Sequence, residues 1–465
     1  METIANLMTR ARAAQRTIDG WSQEQVDELV TAAAWAIVEP ARNRALAECA
    51  VRDTGLGNVP DKIAKNRRKT MGLLRDLRGA KSVGVIAEDH ANGLIEIARP
   101  VGVVAAITPS TNPAATPANN IINALKGRNA IILAPSPKGA STLALLLRYV
   151  HAELDRIRAP GDLVQMLDQP VSREQTFELM RQADLVVATG SQTNVRAAYS
   201  SGTPAIGVGA GNVAVIVDET ADVADAARKI ASSKIFDNAT SCSSENSVIA
   251  VAAIADQLLA ALVREGGVML DAEETRRLED EMFGEGKLAN AVIAQDAPAI
   301  AAIAGLVRSE MDSVRFLIVD ETGVGAEHPF SGEKLSPVLA FYRVADFDAA
   351  TKLATGILGY QGAGHSIGLH SREPARALML GHTLPVCRVI VNQAHCFATG
   401  GSYDNALPFS LSMGCGTWGG NSISDNLNYR HFLNITRVVH PLAAERVREP
   451  TEDDLFGHYR RRHRI

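Results

Sequence analysis

From about residue 100 onward the sequence alternates short apolar runs with helical stretches, and few architectures accommodate that rhythm. Candidate strands lie at 102–107, 130–134, 163–167, 185–189 and 213–217, with helical patterns at 140–157, 172–181 and 222–236. Apolar strands separated by helices read as βαβ units, which build a parallel sheet. The run Ala-Ile-Ile-Leu-Ala at 130–134 is apolar throughout, as a strand covered on both faces must be. A second α/β segment follows, with helix-like text at 253–265 and 272–282 and strand-like text at 291–294, 315–319, 338–342 and 389–392. The N-terminus opens with a helix. Ser22 and Gln25 make a capping-box pair, and Val26, Leu29, Val30, Ala33 and Ile37 recur at helical spacing.

Composition narrows the class. The 465 residues allow two to four domains at roughly 100–200 residues each. A net charge of −5 and a pI near 6.2 argue against a nucleic-acid partner held by bulk positive charge. The longest mainly apolar runs, 248–255 and 297–307, fall short of the roughly 18–20 residues of a membrane span. Residues 1–20 hold Glu2, Arg10, Arg12 and Arg16 and no apolar signal core, so a cytoplasmic protein is expected. An odd count of five cysteines fits a reducing compartment. There is no long N-terminal extension, so encapsulation in a microcompartment is not expected. The arginine-rich end at 460–464, after the acidic 452–454, reads as a solvated tail.

Gly414-Cys-Gly-Thr-Trp-Gly419 matches the G-x-G-x-x-G dinucleotide pattern letter for letter. That fingerprint belongs between a strand and an opening helix. Here Pro408 and a serine-rich stretch precede it and Gly420 and Asn421 follow, so a fingerprint role is rejected. No P-loop, H-E-x-x-H or zinc-spaced Cys/His cluster is present, and no metal site is expected.

The most informative segment surrounds Cys242, which sits among Ser241, Ser243 and Ser244 between a helical stretch and an apolar run. A structural cysteine ordinarily has apolar neighbours, whereas a reactive one needs nearby N–H donors or a helix end. Cys242 is therefore the candidate nucleophile, and Cys49, Cys387, Cys396 and Cys415 read as structural or supporting. Further long motifs occur in order: Pro100-Val-Gly-Val-Val104, Thr108-Pro-Ser-Thr-Asn-Pro113, Lys126-Gly-Arg-Asn129, the 198–212 stretch ending Gly-Ala-Gly-Asn212, Glu333-Lys-Leu-Ser-Pro337 and Gly414–Asn421. Through them about residues 1–440 resemble the CoA-acylating aldehyde dehydrogenases, including the aldehyde half of bifunctional aldehyde–alcohol dehydrogenases.

The resemblance implies the aldehyde-dehydrogenase α/β fold: a Rossmann-like cofactor domain at 1–215 completed by about 405–430, a catalytic domain at 216–404 carrying Cys242, and an oligomerising segment and tail at 431–465. A homo-oligomer, dimer or tetramer, is implied with it. Hydrolytic members carry a general-base Glu 34 positions before the nucleophile, where this chain has Val208. Water, with a pKa of about 15.7, needs such a base, whereas a thiol of pKa ~8.5 needs little help. Loss of the carboxylate therefore favours CoA over water as acyl acceptor.

The implied reaction runs through a Cys242 thiohemiacetal and acyl-cysteine. Thr111, where the superfamily places a catalytic Asn, or its neighbour Asn112, joins the Cys242 N–H as an oxyanion donor, and His365 could deprotonate a thiol or position CoA. Glu333 matches the Glu that holds the nicotinamide ribose. Thr189, Gly190 and Ser191 end a strand and open a helix, a place for a pyrophosphate, and Gly209 is grouped with them. The Lys and Glu that grip the adenosine ribose in the superfamily are replaced by Ala134 and Pro137, with Ser136 and Lys138 nearby, so NADP is favoured and NAD remains an alternative. The 392–405 stretch is similar to the branch that acts on sulfoacetaldehyde, with acetaldehyde, glycolaldehyde and propanal as alternatives. His395 and Arg388 are the nearest candidates to hold a sulfonate, and Asn119 and Asn120 are polar alternatives.

Overall fold

The uniformly apolar runs become strands of two parallel sheets in a computed structural model that describes residues 2–284 and 286–464. Met1 and Ile465, the outer limits of the expected first and last segments, lie outside the described residues. Four helices lead the chain: α1 (Ile4–Ile18), α2 (Gln23–Val38), α3 (Pro40–Thr54) and α4 (Val59–Leu77). Ser22 and Gln25 complete the expected capping box of α2, but α1 precedes it, so the chain opens one helix earlier than the sequence reading placed it. A hairpin follows, β1 (Gly84–Asp89) and β2 (Leu94–Pro100).

The first parallel sheet comprises β3 (Val103–Thr108), β4 (Ala130–Pro135), β5 (Val164–Met166), β6 (Leu185–Thr189) and β7 (Ala205–Val208). Helices α5 (Ala115–Lys126), α6 (Ala140–Arg156), α7 (Arg173–Gln182) and α8 (Gln192–Ser200) link them. The strand order β5-β4-β3-β6-β7 reverses direction between β3 and β6, and in such sheets the crevice beyond the carboxyl ends at that point receives ligands. The 126–129 motif is structural. Asn129 accepts from the Val101 and Gly102 N–H groups at 2.7 and 3.0 Å and donates to Phe432 O at 2.9 Å, pinning the start of β3 to the C-terminal segment.

The second sheet contains β8 (Val213–Val217), β9 (Glu245–Val251), β10 (Gly267–Met269), β11 (Phe316–Asp320), β12 (Val338–Val344), β13 (Ile367–His370) and β14 (Val389–Val391). Its order is β10-β11-β12-β9-β8-β13-β14, all parallel. Helices α9 (Val223–Ile235), α10 (Ala255–Arg264), α11 (Ala272–Phe283), α12 (Ala297–Ile303), α13 (Phe347–Tyr360), α14 (Pro374–Thr383) and the single turn α15 (His395–Ala398) complete this part. Among the described residues no helix is long and apolar enough to cross a membrane.

Two expectations need correction. The strand-like text at 291–294 is a turn. Ala294 has φ 54°, and its carbonyl and N–H bond to Gly57 and Leu335 rather than to a neighbouring strand. A domain boundary at 215 would fall inside β8, which belongs wholly to the second sheet. Within the 431–465 segment, β15 (Leu433–Val439) pairs antiparallel with β2 along seven positions. The tail beyond it forms α16 (Glu452–His463), exposed except at Gly457, with acids in its first turn and bases in its last, an arrangement the helix dipole favours.

Candidate active site

Beyond the carboxyl ends of β3, β6 and β7 opens a cleft of about 600 Å³ that contains Cys242. The nucleophile loop leaves α9 through Asp237, Asn238 and Ala239, all at positive φ (51°, 52° and 57°), a conformation that costs non-glycine residues about 1 kcal/mol or more each. Asp237 holds the turn in place. Its buried carboxylate accepts from Asn58 N (3.0 Å), Lys62 Nζ (3.1 Å), Lys65 Nζ (2.5 Å) and Thr240 Oγ1 (2.8 Å). Burial pushes its pKa up, yet the two α4 lysines bring it below the ordinary carboxylate value. Gly211 lets the loop close in, because a Cβ there would lie 2.2 Å from the Cys242 carbonyl oxygen.

Cys242 Sγ lies 3.4 Å from His365 Nε2, and His365 Nδ1 lies 2.7 Å from Ser366 Oγ. With Nδ1–H donating to Ser366, the Nε2 lone pair faces the thiol. Burial lowers the imidazole pKa to about 3 and, with the Glu333 charge second, pushes the thiol up to about 12. The resting pair is therefore a neutral thiol beside a neutral imidazole. At position 208 the side chain is a buried valine that lines the same cleft. Glu333 is the only carboxylate lining it among the described residues, and burial raises its pKa to about 8, against the pull of Lys234.

Thr111 and Asn112 both line the cleft, and their bonding separates them. Asn112 Oδ1 accepts from Lys65 Nζ at 2.9 Å, which leaves its NH₂ end as a donor. Thr111 is held through its backbone carbonyl by Lys62 Nζ at 3.1 Å. The same two lysines thus fix the nucleophile loop and the facing donors.

The wall at the ends of β3 and β6 suits an elongated anionic ligand. Ser136, Thr189, Gly190, Ser191, Gly209 and Glu333 all line the cleft. Ser191 caps α8, and Gly190 at φ 141° keeps side-chain bulk away from the turn. Ser136 Oγ is buried without a protein partner, an unmet hydroxyl of the kind a ribose or phosphate would satisfy. These residues fit a nicotinamide dinucleotide. Lys138 is exposed and does not line the cleft. The 414–419 segment has no strand before it and only the short turn Thr417–Gly419 within it. Its contribution is indirect, since Asn421 Oδ1 accepts from both Gly209 N (3.0 Å) and Cys415 N (2.9 Å).

The expected sulfonate residues are misplaced. Arg388 lines no part of the cleft. Its guanidinium donates to Asn426 Oδ1 and to the carbonyls of His365, Gly414 and Ser424, so it braces the loop behind His365. His395 is buried beneath the nucleophile loop with Nδ1–H donating to Ser243 O at 2.9 Å. Asn119 and Asn120 are buried on α5 and also lie outside the cleft lining. The cation that does line it is Lys69, on α4. Lys62, Lys65 and Lys69 share one buried helix face with Asn66 and Thr70, while Ala64 and Met71 face outward. That inverted spacing is the signal a sequence reading could have used.

Comparison with known proteins agrees with this geometry. The aldehyde dehydrogenase family model matches residues 1–268. The acylating sulfoacetaldehyde dehydrogenase of Cupriavidus necator is 63% identical over 458 residues, covering 98% of this chain and 92% of that one. An acetylating aldehyde dehydrogenase from Geobacillus thermoglucosidasius superposes with a TM-score of 0.91 at 37% identity, over 96% of this chain and 97% of that one. A Rhodopseudomonas palustris propionaldehyde dehydrogenase, solved with bound CoA and an acylated cysteine, gives a TM-score of 0.83 at 27% identity, over 95% and 97%. Together with a cysteine set in a cleft between two parallel sheets, these matches establish that the chain belongs to the aldehyde dehydrogenase family.

Proposed function

We propose that this protein is a CoA-acylating aldehyde dehydrogenase that converts sulfoacetaldehyde, CoA and a nicotinamide dinucleotide to sulfoacetyl-CoA and the reduced dinucleotide. The observation that carries the acylating chemistry is Cys242 paired with His365 in a cleft whose general-base position is Val208. The choice of aldehyde is supported by the 63% identity to the Cupriavidus necator enzyme.

In this reading Cys242 Sγ attacks the aldehyde carbon while His365 Nε2 takes the thiol proton. With the thiol near 12 and the imidazole near 3, proton loss is concerted with C–S bond formation and does not precede it. The Cys242 N–H and the Asn112 amide donate to the developing oxyanion, the Asn112 end being chosen by Lys65. A nicotinamide dinucleotide, when bound, accepts the hydride that leaves the substrate carbon. Ser136, Thr189, Gly190, Ser191 and Gly209 would hold its phosphates and adenosine end, and Glu333 its nicotinamide ribose. The acyl group is then a Cys242 thioester. Attack by the CoA thiol forms the new thioester and expels Cys242.

NADP is preferred to NAD in this proposal, because among the described residues Glu333 is the only carboxylate lining the cleft and is assigned to the nicotinamide ribose, which leaves no lining acid to repel a 2′-phosphate at the adenosine end. Residues up to Val208, completed by about 405–430, form the cofactor-binding domain, and β8 to about residue 404 the catalytic one. The β1-β2-β15 sheet, with Val438 and Val439 exposed on its outer strand, supports assembly as a dimer or tetramer. Five free cysteines suit the cytoplasm.

The decisive assay offers aldehydes with NAD⁺ or NADP⁺, each with and without CoA, and follows the reduced dinucleotide. The acylating reading requires sustained turnover only with CoA. Glu333, the only carboxylate lining the cleft among the described residues, could activate water instead, and undiminished turnover without CoA would overturn the acylating reading.

A further inference from the structure

The α4 side of the cleft carries a charge that the chemistry at Cys242 does not use. Lys62 and Lys65 share the single carboxylate of Asp237. Lys69, 8% exposed, has no carboxylate partner: its ammonium donates to Gly400 O at 2.7 Å and lies over the Phe409 ring, leaving two of its three N–H donors without a protein acceptor among the described residues. Among the described residues it is the only cation lining the cleft of Cys242. A small adjoining recess shares Lys69, Asn112, Ser241, Cys396 and Leu411 with the cleft, adds Lys65 and Arg68, and has no acid in its lining among the described residues. Arg68 donates to Ser402 Oγ at 2.7 Å, while its Nε is buried without a partner. Burial without a counter-ion lowers the Lys69 pKa to about 7, and an anionic ligand that supplies the missing charge would hold it as the ammonium.

We propose that Lys69, backed by Arg68, binds the sulfonate of the substrate and sets the preference of this enzyme for an anionic aldehyde over an uncharged one. This rests on the sulfoacetaldehyde reading above and assigns the role expected of Arg388 and His395 to a different wall. A sulfonate offers three acceptor oxygens and a charge that does not titrate near neutrality. Two free ammonium donors and a guanidinium N–H complement it. An acetaldehyde-sized substrate would leave the same groups unsatisfied, so the site selects against it as well as for the anion.

The test uses the full-length enzyme with CoA and NADP⁺ and compares kcat/KM for sulfoacetaldehyde with kcat/KM for propanal. Lys69→Met should lower that ratio on the order of 100-fold, Arg68→Met about tenfold, and Lys69→Arg should retain it within about tenfold. Ethanesulfonate, an unreactive sulfonate, should inhibit propanal oxidation competitively, with a Ki raised at least tenfold in Lys69→Met. The assignment is overturned if the ratio and the Ki do not move in a folded variant. It is equally overturned if both aldehydes lose activity alike, or if the KM of CoA or NADP⁺ rises instead. Should Lys69→Met not fold, Arg68→Met, at a half-buried position, carries the comparison. If the wild-type enzyme itself favours propanal, the choice of aldehyde fails, while the ethanesulfonate Ki still decides the role of Lys69.

Discussion

The cleft has two walls made of different material. Toward β3, β6 and β7 it presents strand ends, glycines and hydroxyls: Ser136, Thr189, Gly190, Ser191 and Gly209. Toward α4 it presents the Lys69 ammonium, which has no carboxylate partner, with Lys62 and Lys65 bound to Asp237 behind it. The first wall is shaped by backbone and tolerates an extended ligand. The second is shaped by long-range side-chain bonds, and the same bonds that stabilise it fix the nucleophile loop. Where binding relies on backbone, changes are expected to alter affinity. Where it relies on buried charge, they are expected to alter stability and turnover together.

The sharpest break in that contrast comes from Asp237→Asn. Leaving Lys62 and Lys65 buried without their counter-ion should destabilise the fold by about 3–5 kcal/mol in urea unfolding; a loss under about 1 kcal/mol would mean that the charges are not coupled as described. Between the walls, the thiol held near pKa 12 should react with iodoacetamide about tenfold faster per pH unit, roughly 10³-fold from pH 7 to 10, because the thiolate is the nucleophile. Peptide mass spectrometry of the Cys242 peptide reads this, and a plateau near pH 8 would contradict the burial argument. Lys65→Met keeps the Lys62–Asp237 pair but frees the Asn112 amide, so kcat should fall about 10²–10³-fold with the KM for NADP⁺ little changed.

On the backbone-built wall, Val208→Glu restores a carboxylate where hydrolytic relatives keep one. CoA-independent turnover should rise about 100-fold, measured as free acid released. The smallest effect is expected from Ser136→Glu, which should shift preference from NADP⁺ toward NAD⁺ by about tenfold through repulsion of a 2′-phosphate, read from the kcat/KM ratio of the two dinucleotides.

The two walls also differed in how far the sequence disclosed them. Periodicity and capping carry the first: the 185–189 run becomes β6 unchanged, and Thr189-Gly190-Ser191 does end that strand and cap α8. Local sequence suffices there because strand propensity and turn chemistry are local. The second wall escaped because Lys62, Lys65 and Lys69 look like a solvated helix face, and only a partner 172 residues away, Asp237, makes burial of Lys65 tolerable. His395 and Arg388 lie in or beside the 392–405 stretch that is similar to the sulfoacetaldehyde branch, yet both point into the packing around Ser243 and His365. The 291–294 text was apolar enough for a strand but had no neighbour to pair with. A pairing partner is a tertiary fact.

One consequence follows from the three left-handed residues before Cys242. None is a glycine, and while Asp237 and Asn238 tolerate the left-handed region, Ala239 does not favour it, so helix α4 holds the bend from outside through Asp237. A newly made chain whose N-terminal helices have not yet docked would relax those residues, and its sulfur would sit in no defined surroundings. Reactivity therefore requires that the N-terminal helices be docked against the middle of the polypeptide. A nascent or damaged copy would carry the right cysteine and still be chemically idle.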